Sequence, residues 1–145
     1  MIPAHDSNGN LPPGVHEAEW TEIVERFGTT PHRLQLLHGL LEALRSLQNA
    51  GCLRAYLDGS FVTDKTVPGD FDGCWEVAGV DASRLDPVLL DFENGRAAQK
   101  ARFGGELFLA ETDADELGTS FVEFFQKDRS GVPKGIIAIN LQELP

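Results

Sequence analysis

A mixed α/β (α+β) domain, with a small mixed sheet covered by helices, is what this sequence predicts, on three observations. Leu34, Leu37, Leu40, Leu41, Leu44 and Leu47 recur at helical spacing between Thr30-Pro31 and Gly51, the pattern of an amphipathic helix with both ends marked. Apolar segments of strand length fall near residues 52–57, 70–77, 106–110 and 135–141, each bounded by Gly, Pro or Asp. Helical patterns separate them, giving the order helix, helix, strand, strand, helix, strand, helix, strand. At 145 residues, with 41% apolar residues and nine Phe, the chain has material for one core and is expected to form one domain, 1–145.

Met1 to Gly14 holds three Pro, two Gly and two Asn, so residues 1–14 are expected as an extended arm without regular structure. Trp20, Ile23, Val24 and Phe27 then mark one apolar face of a short helix stopping at Gly28. Thr30 reads as the N-cap of the leucine helix, Pro31 as its first residue and Gly51 as its C-terminal cap. Cys52–Leu57 and Asp70–Val77 are strand candidates joined only by the loop Gly59–Gly69, which makes them antiparallel neighbours. Asp81 looks like a helix start interrupted near Pro87. Glu93–Phe103 reads as a helix with Arg96 and Lys100 one turn apart, broken by Gly104-Gly105. Glu106–Ala110 is a third strand, Asp113–Gly118 an acidic turn, and Thr119 the cap of a helix bearing Phe121, Val122, Phe124 and Phe125. A turn over 128–133 leads into the last strand, Gly135–Leu141.

Composition narrows the function classes. No apolar run reaches membrane-spanning length and the N-terminus lacks the features of a secretion signal, so a cytoplasmic protein with no membrane partner is expected. Cys52 and Cys74 lie in apolar segments and read as reduced, buried thiols, and no metal-type Cys/His spacing occurs. A formal charge of -11 argues against non-specific binding to a phosphate backbone. Arg96, Lys100 and Arg102 could form a local basic patch for RNA, although solvated helix charges are the commoner meaning of such a cluster.

The chemistry concentrates between Tyr56 and Glu76. Asp70 and Asp72 stand two apart at the head of a strand, a spacing that puts both on one face with backbones roughly 6–7 Å apart. Mg²⁺ takes one or two carboxylates together with phosphate oxygens and water, so the pair suits a Mg-nucleotide. Two such ions roughly 3.5–4 Å apart can serve both the attacking and the leaving oxygens of an in-line displacement. Gly59-Ser60 ends the preceding strand, where bare backbone admits a phosphate and the hydroxyl can donate to it. Lys65 in the loop is a further phosphate candidate, against the plainer reading of a solvated lysine. A third acid from a neighbouring strand would complete the site. Glu106, beside Gly104-Gly105, is the first choice, Asp113 is weaker, and Asp58 is a further possibility, against which stands a strand alternation that can aim it away from the phosphate face of Ser60. Taken singly, Asp-x-Asp is more often a cap or solvated edge, and Gly-Ser a turn. Their combination, with nine residues between them and Pro68-Gly69 closing the loop, is the stronger signal.

That combination, Gly59-Ser60 followed by Pro68-Gly69-Asp70-Phe71-Asp72, resembles the signature of the nucleotidyltransferase superfamily with the DNA polymerase beta-like fold, above all its small minimal members. The whole chain is similar to a bacterial group of this length within it, through Gly9–Gly14, Tyr56–Ser60, Phe124–Arg129 and Lys134-Gly-Ile-Ile. The resemblance implies that Gly59 and Ser60 meet the nucleotide phosphates and that Asp70 and Asp72 bind Mg²⁺ (or Mn²⁺), with Glu106 as third acid. It implies an NTP substrate, an RNA, protein or small-molecule acceptor, and a cognate partner protein of the toxin–antitoxin or defence kind. The chain departs from the family in Phe61-Val62-Thr63, where many members carry Arg, and in Gly73, where an apolar residue is usual. A nucleotide-binding or regulatory module acting through a protein partner therefore stands beside the enzyme reading.

Overall fold

The computed structural model describes residues 2–128 and 130–145; Met1 of the expected arm and Arg129 of the expected turn lie outside the described residues. Five strands form one mixed sheet: β1 (Gly14–Glu17), β2 (Arg54–Asp58), β3 (Phe71–Trp75), β4 (Gly105–Leu109) and β5 (Gly135–Asn140). Their order is β1-β5-β2-β3-β4, with the two outer pairs parallel and the two inner pairs antiparallel. The helices are α1 (Trp20–Phe27), α2 (Pro31–Asn49), α3 (Glu93–Phe103) and the single turn α4 (Phe121–Phe124). The mixed α/β class and all four expected strands are present.

One face of the sheet is apolar. Ala55 and Leu57, Phe71 and Trp75, Leu107, Ile137 and Ile139 alternate onto it and join one core with Leu37, Leu40, Leu44 and Leu47 of α2. Each fully buried Leu contributes about 1.5–3 kcal/mol relative to exposure. Thr30 caps α2 by accepting from Arg33 N at 3.1 Å. At the other end Gly51 N donates to Gln48 O at 3.0 Å and Cys52 N to Leu47 O at 2.9 Å. This is a Schellman closure, which Gly51 permits at φ +98. Both cysteines are free and buried. Among the described residues no helix is long and apolar enough to cross a membrane.

Several expectations need correction. Residues 14–17 are a strand, because Gly14–Glu17 pairs in parallel with Gly135–Ala138 from the far end of the chain. The arm before it is anchored, with Ile2 and Leu11 buried and Gly9 O accepting from Asp64 N at 3.0 Å. Leu34 is exposed while Leu36 is buried, since the core-facing stripe of α2 runs Leu36, Leu37, Leu40, Ala43, Leu44, Leu47. The segment after Asp81 makes two short 3₁₀ turns, Ala82–Arg84 and Pro87–Leu90, split where Pro87 and its predecessor cannot continue a helix. Ser120, not Thr119, caps α4. Asn94, Gly95 and Arg96 take left-handed backbone angles at the start of α3, so Arg96 does not share a helical face with Lys100. Contact of its guanidinium with the Phe108 and Phe92 rings, at 3.9 and 4.8 Å, offsets that strain.

Candidate active site

The second face of the sheet carries the acids. Asp58 is paired in register with Asp72 across β2 and β3, and Asp72 with Glu106 across β3 and β4. Residues opposite one another in a ladder share a face, so Asp58, Asp72 and Glu106 form a row over three adjacent strands. Ladder register therefore aims Asp58 at the same side as Asp72, against the expectation that alternation could turn it away. Asp70 precedes β3 at its exposed mouth and adds its charge to the field at Asp72.

Crowded carboxylates away from water resist ionisation. Burial, then the charges of Glu106 and Asp70, push Asp72 up to about 6, against the pull of Lys134 and Lys100. Asp58 is pushed well above the usual carboxylate range by burial and then by Asp72, with Lys134 opposing. Asp58 is 0% exposed, and neither of its oxygens has a hydrogen-bond partner among the described residues. Glu106 has one: Lys100 Nζ lies 3.2 Å from its Oε1.

Gly59 makes the turn possible. Its φ of +80 and ψ of -166 suit glycine alone, and an added β-carbon would sit 2.6 Å from Asp72 Oδ2. Ser60 then opens a 3₁₀ turn, Ser60–Val62, which Thr63 ties down by donating Oγ1 to Ser60 O at 2.6 Å. The loop beyond is held from α2. Buried Arg33 donates to Phe61 O at 2.8 Å, to Thr63 O at 3.0 Å and to Lys65 O, while His32 Nε2 meets Pro68 O. Lys65 itself is exposed, and the cations acting on Asp72 are Lys134 and Lys100.

A cavity of about 810 Å³ opens beside Asp72, lined also by Thr119, Phe124, Phe125, Lys127 and Lys134. A second groove, about 620 Å³, lies at the opposite end of β2 and β3, where Arg54 pairs with Glu17 at 2.7 Å; it does not touch the acidic row. Of the residues weighed as a basic patch, two are engaged internally: Arg102 pairs with Glu42 at 3.3 Å and Asp86 at 3.5 Å, and Lys100 with Glu106. Asp113 forms a bridge to Ser120 and is not part of the ladder row of acids.

Among the described residues, no group of three or more His, Cys, Asp or Glu side chains could hold a metal ion. A pair of carboxylates is enough for Mg²⁺ when phosphate and water complete the shell. The donor set fits that ion in kind, being all oxygen, and the orphaned Asp58 oxygens fit it in need. Sequence reasoning missed Arg33, a charged residue inside the core face of a helix, and Lys134, which only β5 brings to the acids.

Fold and site together define a mixed α/β domain with an acidic seat on the second face of its sheet. The chain belongs to the family described as Family of unknown function (DUF6932), whose profile matches residues 3–140. No curated protein and no solved structure matches it.

Proposed function

We propose that the protein is a Mg²⁺-dependent nucleotidyltransferase that moves a nucleoside monophosphate from an NTP to a hydroxyl of RNA, protein or a small molecule. The observation that carries this reading is the in-register row of Asp58, Asp72 and Glu106, set against the Gly59-Ser60 turn. Asp70 and Asp72 are the residues that would hold the cation, with a third acid from a neighbouring strand. Bound Mg²⁺ (or Mn²⁺) supplies charge neutralisation at the transferring phosphate and the leaving pyrophosphate. The chain's own residues do the positioning. Gly59 lets backbone approach a phosphate oxygen, the Ser60 hydroxyl donates to it, and Lys134 brings positive charge to the edge of the acids. The cavity beside Asp72 offers room for the acceptor or the base. Phosphoryl transfer is mostly positioning and electrostatics, so this short set of groups is sufficient. A cognate partner protein belongs to this reading through the family resemblance alone.

The pairing of Glu106 with Lys100 favours a second reading, a module that binds nucleotide without turning it over. Incubation with labelled NTPs, Mg²⁺ and total RNA or lysate separates the two. Label transfer by the wild type and not by Asp70→Ala plus Asp72→Ala supports the enzyme. NTP binding without transfer supports the module. Neither binding nor transfer with any metal tried rules out both.

A further inference from the structure

Burying a carboxyl group that has no hydrogen-bond partner is costly, and the charged form costs far more. Asp58 does this at 0% exposure, with both oxygens unpartnered among the described residues. The charges acting on it are those of Asp72, paired with it across the ladder, and of Lys134. Glu106 differs on this point, because its Oε1 already faces the Lys100 ammonium at 3.2 Å.

Directly opposed residues of an antiparallel pair have β-carbons about 4.5–5.5 Å apart, a separation from which two carboxylates can share one hard cation. Gly59, the residue after Asp58, would collide with the Asp72 carboxylate if it had a β-carbon. Glycine thus leaves that carboxylate its place beside Asp58. We propose that Asp58, rather than Glu106, completes the cation seat with Asp72, so that the divalent ion is held between β2 and β3. The assignment rests on the nucleotidyltransferase reading and names one of its ligands.

The test is Mn²⁺ titration followed by electron paramagnetic resonance on wild type, Asp58→Asn, Glu106→Gln and Asp72→Asn, with the cation-induced rise in melting temperature recorded in parallel. Asp58→Asn should weaken Mn²⁺ binding by about tenfold or more, the scale on which losing even a supporting group acts, and abolish the melting shift. Glu106→Gln should have the smaller effect. The opposite ranking, or Asp58→Asn binding like wild type while Asp72→Asn does not, makes Asp58 a neutral core acid and overturns the assignment while sparing the enzyme reading. Wild type that binds no Mn²⁺, alone or with NTP, overturns both. Should Asp58→Asn fail to fold, carboxyl ¹³C relaxation in wild type decides, since Mn²⁺ must then act more strongly on Asp58 than on Glu106.

Discussion

Replacing Arg33 by Met tests whether the site loop is held from beneath. Arg33 is 3% exposed, and its guanidinium donates to the carbonyls of Phe61, Thr63 and Lys65 and lies 5.0 Å from the Phe61 ring centroid. Hydrogen bonds from a charged donor contribute about 1.5–3 kcal/mol each. Burial of the charge, which also lowers the Arg33 pKa, offsets part of that, and Met keeps the packing of the stem. Taking the low figure per bond and returning some desolvation gives a net loss of about 3–4 kcal/mol. For a chain of this size that is a fall in melting temperature of roughly 10 °C. Urea unfolding followed by the fluorescence of buried Trp20 and Trp75 measures it, and limited proteolysis reads the 61–69 loop separately. A loss under about 1 kcal/mol with an unchanged cleavage pattern would refute the reasoning. The loop would then be held by His32–Pro68 and Thr63–Ser60 without the guanidinium.

Gly59→Ala should destabilise by about 1–3 kcal/mol, the range for a non-glycine residue forced into glycine-only backbone space. It should also weaken NTP binding, since the new β-carbon must displace Asp72; thermal denaturation and nucleotide titration check the two effects. The pH dependence follows from Asp72, whose folded value of about 6 lies above the usual 3.8. Between those values the folded state holds a proton the unfolded state has lost, so stability of the metal-free protein falls as pH rises from about 4 to about 6. The fall attributable to Asp72 is on the order of 3 kcal/mol. Asp72→Asn should remove it, leaving that variant more stable than wild type above pH 6; equal slopes in urea titrations across this range would contradict the assignment.

The fold was legible wherever a local signal coincided with a buried surface. Thr30-Pro31 and Gly51 mark α2 because caps act within one turn of chain. The β2–β3 hairpin follows from its short connection. Signals that compete only locally misled. Leu34 fits the helical spacing, yet the stripe that meets the sheet is shifted around the helix and leaves it exposed. Thr119 and Ser120 are both good caps, and only the chain path into Phe121 chooses between them. β1 could not be read at all, since four residues of weak alternation become a strand only by pairing with β5.

The candidate site divides in the same way. Sequence alone singled out the candidate residues near the turn: Gly59, Ser60, Asp70 and Asp72 lie within one loop and its flanks, and their spacing is a covalent fact. Tertiary structure decided their company. Ladder register put Asp58 and Glu106 on either side of Asp72, α2 sent Arg33 under the loop, and β5 delivered Lys134. The physical reason is that register fixes which side chains share a face. It is set by pairing between distant segments, which a reading of local spacing does not contain.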